Sequence, residues 1–158
     1  MIKILFVCHG NICRSPMAEF VMKEKLKRLG LEDRFFVASA ATTEEEIWNG
    51  QGNPVYPPAK KMLAAHGISC AGKRAVLMTR YDYRKYDLIV GMDRENMSDM
   101  RRICGGDPDG RLSLLMDYTD TPGSVADPWY TGDFQRTYDD VVRGVDGMIE
   151  ALAPKARR

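Results

Sequence analysis

Apolar positions along the 158-residue chain change period several times, and each change marks an element. Ile2 to Val7 is a short apolar, β-branched run of the kind found in strands buried on both faces of a parallel sheet. It stops at Cys8. A break over Cys8 to Arg14 follows, after which Ser15 is placed as a helix N-cap and Pro16 at the first helical position. Ala18, Val21, Met22, Leu26 and Leu29 then recur at steps of three and four with Gly30 behind them, which predicts a helix over 16–29. Phe35 to Ala38 reads as a second strand, so the N-terminal quarter forms a right-handed βαβ unit with the Cys8 loop at the carboxyl end of strand one.

Residues 42–58 show no sustained period and are read as a long loop. A helix over Ala59 to His66, a short one near Arg80 to Lys85 capped by Thr79 and Asp82, and a third strand over Tyr86 to Val90 come next. Asp93 caps a helix that reaches Ile103, Arg111 to Met116 reads as a fourth strand, and 117–132 is a second long loop. Phe134, Tyr138, Val141, Val142, Val145, Met148, Ile149 and Leu152, behind an Asp133 cap, have the clearest helical period in the chain. Strands alternating with helices predict one doubly wound α/β domain over 1–158, its four-stranded parallel sheet flanked by helices.

Composition narrows the functional classes. A net charge of +1 from 23 basic and 22 acidic residues provides no global field for nucleic acid or anionic lipid, so any anion site must be local. No apolar run approaches a membrane span, and Met1 leads straight into a strand without a signal-peptide pattern, so a soluble cytoplasmic protein is expected. Four cysteines are too few for a disulfide framework, and each then needs a packing or chemical explanation.

The chemistry is concentrated in Cys8-His9-Gly10-Asn11-Ile12-Cys13-Arg14-Ser15. A strand delivers this loop and a helix N-terminus follows it, so successive amides can form an anion nest with the helix dipole behind them. Arg14 adds a planar fork able to hold two oxygens, and the same field favours a thiolate at Cys8. A cysteine six positions before an arginine is weak evidence alone. The preceding strand, the following helix start, and Gly10 and Asn11 where positive φ can be needed make it a phosphate cradle with a nucleophile.

The run from Cys8 through Pro16 to Met17-Ala18-Glu19 resembles the signature of the low-molecular-weight protein tyrosine phosphatases. Ser39-Ala40-Ala41-Thr42, His66-Gly67-Ile68, Met92-Asp93 and Asp127-Pro128-Trp129-Tyr130 are similar to that family's landmarks and come in the same order. The resemblance implies a phosphocysteine intermediate, no metal or cofactor, a phosphotyrosine protein or small aryl phosphate as substrate with inorganic phosphate as product, and a monomer or weak dimer. It makes Cys8 the nucleophile, Arg14 the clamp on the phosphoryl oxygens, Ser15 the hydroxyl that stabilises the Cys8 thiolate, and Asp127 the general acid and then base. It also implies a support of Asn11, Ser39 and His66 behind the loop, and walls of Trp129 and Trp48 around an aryl group, with Tyr130 beside them.

Other residues are read more plainly. Cys13 is expected to trap oxidised Cys8 as a disulfide, whereas Cys70 and Cys104 are packing residues. His9 is a loop residue at the phosphate, and Glu44-Glu45-Glu46 is a solvated face. Three alternative functions make different demands on the chain. A thiol-dependent arsenate reductase needs a close-spaced relay pair that Cys70 and Cys104 do not form, and the resemblance gives protein arginine phosphatases a threonine where Ile12 stands. A non-catalytic phosphate-binding module needs neither Cys8 nor Asp127.

Overall fold

The structure is a computed structural model that describes residues 1–156; positions 157 and 158 of the expected 1–158 domain lie outside the described residues. Strand β1 (Ile2–Cys8) pairs in parallel with β2 (Phe35–Ala41) on one side and β5 (Leu88–Gly91) on the other. Strand β6 (Leu112–Leu114) pairs in parallel with β5, giving the order β2-β1-β5-β6. The chain thus winds first to one side of β1 and then to the other. The crevice beyond the carboxyl ends of β1 and β5 is the switch point where open α/β sheets bind ligands.

Alternation along the strands fills a core on each face. Ile4, Phe6 and Cys8 of β1 point toward helices α1 (Arg14–Arg28) and α6 (Phe134–Leu152), where they meet Met17, Met22, Val141 and Met148. Leu5 and Val7 point the other way, packing with Met78, Tyr83, Ile89 and Met100 beside the short α3 (Asp82–Lys85) and α4 (Arg94–Cys104). Helix α2 (Pro57–Ala65) joins the first core through Ala59 and Leu63. The main sheet and flanking helices agree with the expectation from periodicity.

The boundaries differ where local hydrogen bonds decide them. Helix α1 starts at Arg14, not Pro16, because the Cys13 carbonyl accepts the Met17 amide at 3.0 Å; Ser15 is inside the helix with its hydroxyl turned to Cys8. Strand β2 runs on to Ala41, since Ser39 to Ala41 continue the ladder to β1 and Ala41 is further bonded to Val76 and Met78. Tyr86 is the C-terminal cap of α3, its amide bonded to the Asp82 carbonyl, and is not part of β5. Strand β6 stops at Leu114, where the Asp117 carboxylate accepts the Leu114 amide and bends the chain into a helical turn over Leu115–Tyr118. The long loop 42–58 contains a hairpin of β3 (Ile47–Trp48) and β4 (Gln51–Gly52). Its tip is Asn49 and Gly50, both at positive φ, the Asn-Gly turn that suits a two-residue hairpin. The second long loop carries a single turn, α5 (Pro128–Thr131), capped by the Asp127 side chain on the Trp129 amide.

Candidate active site

Cys8 ends β1 and is 4% exposed at the base of a cavity of about 680 Å³. Its sulfur lies 3.0 Å from the Ser15 hydroxyl and 3.4 Å from the Ser15 amide, which donates to it from the first turn of α1. Among the described residues, no side chain caps that helix end. The Ser15 N–H, one of the orphan donors of the helix start, therefore faces the thiol, together with the positive end of the helix dipole.

Between Cys8 and α1 the loop is forced into a tight cradle by Asn11, which sits at φ 57°. A left-handed conformation is tolerated by asparagine better than by most residues. Among the described residues, the amides of Gly10, Asn11, Ile12 and Cys13 have no protein acceptor, and Gly10, Ile12 and Cys13 line the cavity. A nest of free amides in a cavity is an anion site.

The Asn11 side chain holds the cradle from behind. Its Nδ2 donates to Ser15 Oγ at 2.8 Å and to Ser39 Oγ at 2.9 Å, while its Oδ1 accepts the Val76 amide at 3.1 Å. Thr42 and Thr43 amides bond the carbonyls of Cys8 and His9 at 3.0 and 3.2 Å, tying the cradle to the end of β2.

Arg14 is buried, with its side chain 4% exposed. One guanidinium nitrogen donates to Asp93 Oδ2 at 2.8 Å and to the Val125 carbonyl at 3.2 Å; the other donates to Asp127 Oδ2 at 3.4 Å. Burial works against the Arg14 charge, but the Cys8 thiolate, Asp93 and Asp127 outweigh it and hold the guanidinium above its ordinary value. Asp93 divides its oxygens: Oδ2 takes Arg14 and Oδ1 caps α4 on the Asn96 amide at 2.8 Å. Asp127 divides its own between Arg14 and the Trp129 amide.

Aromatic rings stand over this floor. Tyr56 and Trp129 line the cavity with ring centroids 5.7 Å apart, and Tyr130, 85% exposed, is at its rim. Cys13, also in the lining, is pushed well above the ordinary thiol range, first by burial and then by the Cys8 charge, with Arg14 opposing.

Residues 3–158 match the model of the family described as low molecular weight phosphotyrosine protein phosphatase. The chain belongs to that family. It is 33% identical over 154 residues to the low molecular weight protein-tyrosine-phosphatase YfkJ of Bacillus subtilis, covering 96% of each chain. It is 35% identical over 157 residues to PtpA of Staphylococcus aureus (strain MRSA252), covering 99% of this chain and 97% of the relative. The crystal structure of YfkJ superposes with a TM-score of 0.92 at 32% identity, over 98% of this chain and 96% of that one. Membership makes this protein an enzyme, a phosphoric monoester hydrolase.

Two residues that the family resemblance assigned to this site lie elsewhere. Trp48 is 72% exposed on the β3–β4 hairpin and is not among the residues lining the cavity; Tyr56, just past the hairpin, fills the wall position instead. His66 is exposed at the end of α2, stacked on Tyr138 with centroids 4.1 Å apart, and takes no part in the support of the loop. Trp48 lies on the short β3–β4 hairpin, and His66 is the C-terminal cap of α2.

Sequence reasoning missed four participants. Tyr56 and the Arg14 partnership of Asp93 are long-range, and the cap signal at Asp93 accounted for only one of its oxygens. Glu45 and Glu46, read as a solvated face, both line the cavity. Glu45 lies 2.8 Å from His9 Nε2 and Glu46 accepts from Asn53 Nδ2 at 2.7 Å, so the acidic run closes one side of the mouth.

Proposed function

We propose that this enzyme hydrolyses phosphotyrosine, as a protein side chain or a small aryl phosphate, through a phosphocysteine intermediate. The observation that carries the reading is the Cys8 sulfur under the Ser15 O–H and N–H, at the base of an amide-lined cavity whose far wall presents Asp127 hung on Arg14. The phosphoryl oxygens take the Gly10 to Cys13 amides and the Arg14 fork, and the aryl ring lies between Tyr56 and Trp129.

A substrate oxygen reaching Arg14 replaces the long 3.4 Å contact to Asp127 and leaves the shorter Asp93 and Val125 contacts in place. Arg14 is thus anchored on one side and offered on the other. The Cys8 thiolate attacks phosphorus, the P–O bond to the phenol breaks, and protonated Asp127 gives its proton to the departing oxygen. A water then attacks the phosphocysteine and loses a proton to Asp127. The P–S bond breaks, the sulfur leaves as a thiolate stabilised by the Ser15 hydroxyl, and inorganic phosphate is released. Charge developing on the equatorial oxygens meets fixed donors throughout, which is the largest contribution such a site makes.

Cys13 lines the same cavity as Cys8 and is the resolving thiol in this reading. Peroxide oxidises Cys8 to a sulfenic acid, and attack by the Cys13 sulfur forms the disulfide and releases water.

The test is turnover of matched phosphotyrosine, phosphoserine and phosphoarginine peptides, with acid quench to trap the intermediate. Selective phosphotyrosine turnover with label on the Cys8 peptide is expected. Preference for phosphoarginine, or label on another residue, overturns the assignment.

A further inference from the structure

Behind the cradle, outside the cavity, lies a cluster of buried charges with no part in the steps above. Glu19 on α1 is 5% exposed, and the Lys73 side chain is 12% exposed. Ser39 Oγ donates to Glu19 Oε1 at 2.6 Å, Lys73 Nζ lies 3.7 Å from the same oxygen, and Lys23 Nζ donates to Oε2 at 2.6 Å. Lys73 Nζ also donates to the Ser39 carbonyl at 3.0 Å, so Ser39 is held through both its backbone and its hydroxyl.

We infer that Lys73 and Glu19 are positioning residues for the reaction, acting on the Cys8 sulfur through Ser39, Asn11 and Ser15. The inference rests on Cys8 being the nucleophile. Its physical content is the direction of the hydroxyls. The Val76 amide can only donate, so it fixes Asn11 Oδ1 toward itself and turns Nδ2 to the two serines. A hydroxyl that accepts from Asn11 has one proton left to give. The Ser39 proton goes to Glu19, and the Ser15 proton goes to the Cys8 sulfur.

Glu19 Oε1 is the acceptor that takes the Ser39 proton, and Lys73 Nζ, near that oxygen and bonded to the Ser39 carbonyl, holds the two in register. Lys23 and Lys73 both face the Glu19 carboxylate, but the Lys23 side chain is 47% exposed while Lys73 is enclosed and fastened to β2. Burial lowers the Lys73 pKa, and Glu19 offsets part of that. Lys73 also places a positive charge behind the cradle within electrostatic reach of the Cys8 sulfur.

The test is the pH dependence of Cys8 alkylation by iodoacetamide, a neutral reagent, read on the Cys8 peptide by mass spectrometry, alongside the acid limb of kcat/KM. Lys73→Met is expected to move the alkylation midpoint up by about one pH unit, with an equal shift of the acid limb and about a tenfold loss of kcat/KM below it. Lys73→Arg restores most of the shift, and Lys23→Met moves it little. Arg14, Asp93 and Asp127 in front of the sulfur, and His9 with Glu45 at the mouth, are the same in all these variants. Ser39→Ala removes one hydroxyl and no charge, and gives the same upward shift where Lys73→Met does not fold. A midpoint unchanged in Lys73→Met, or in Ser39→Ala if that is the variant that folds, overturns the inference, as does a Lys73→Arg protein as impaired as Lys73→Met. Turnover retained in Cys8→Ser overturns the proposed function instead.

Discussion

Asp93 offers a quantitative test because its two oxygens do different work. Oδ1 caps α4, and Oδ2 holds a guanidinium whose side chain is 4% exposed. Loss of a side-chain N-cap costs about 1 kcal/mol. Loss of the charge-assisted bond to Arg14 costs about 2 kcal/mol, below the full penalty for an orphaned buried charge because Val125 and Asp127 still receive the guanidinium. Asp93→Ala therefore loses about 3 kcal/mol of stability. Asp93→Ser keeps a capping oxygen and loses only the ion pair, about 2 kcal/mol. Asn is a poor control, since one amide oxygen cannot serve both partners and its NH₂ would face Arg14. Urea unfolding read as the midpoint at constant slope separates the two terms. In kcat/KM the two variants should fall alike, by about 10- to 100-fold, because both release the anchored side of Arg14 and the cap is remote from chemistry. Equal stabilities for Ser and Ala remove the cap from the account. A serine variant with wild-type stability and kcat/KM refutes the anchoring argument altogether.

Cys8→Ser is expected to abolish turnover while retaining vanadate binding by calorimetry, since the amides and Arg14 remain; appreciable activity would sink the mechanism. Arg14→Lys should fail badly in steady-state assays, because a point charge cannot span two oxygens and also keep Asp93 and Val125. Asp127→Ala should slow phosphotyrosine hydrolysis by roughly 10²- to 10⁴-fold. With an activated aryl phosphate, phenol release in a single turnover should suffer much less, and an equal loss on both substrates would make Asp127 a loop-shaping residue only. Brief peroxide should inactivate reversibly with a Cys8–Cys13 disulfide found by peptide mapping, and Cys13→Ser should overoxidise instead; equal recovery of both proteins returns Cys13 to packing.

Much of the fold was legible because the strongest local signals coincide with the main elements. Helix α6 is written in its apolar period and its Asp133 cap, whose side chain accepts the Arg136 amide. β1 is written in a run that fills both cores at once, Ile4 and Phe6 to one side, Leu5 and Val7 to the other. The errors occur where a distant hydrogen bond outweighs a local preference. Ser15 followed by Pro16 has the residue types of a cap, yet its hydroxyl is drawn to Cys8, and the helix begins earlier without a side-chain cap. The open helix end is a local loss of stability that leaves the Ser15 amide free to face the sulfur. The Asn-Gly tip at Asn49 and Gly50 did carry a hairpin signal, but the strands on either side are two residues each and show no period.

The candidate site divides in the same way. Cys8 to Ser15 is contiguous, so its chemistry could be read as one object. Its partners are not. Asp93 follows β5, and Asp127 lies in the loop after β6; they meet at Arg14 only because β5 pairs directly with β1 and the winding reverses there. The Val125 amide bonds the Met92 carbonyl at 2.9 Å, which brings the Asp127 loop to the end of β5. Strand order is a property of the whole sheet, and no spacing within the sequence states it. Tyr56 and Lys73 depend on a further layer. The segment beyond Lys73 reaches the cradle through Val76 and reaches Asn53 through the Ala75 amide at 2.9 Å. The chain that supports the nucleophile from behind is therefore continuous with the one that sets the aromatic wall in front.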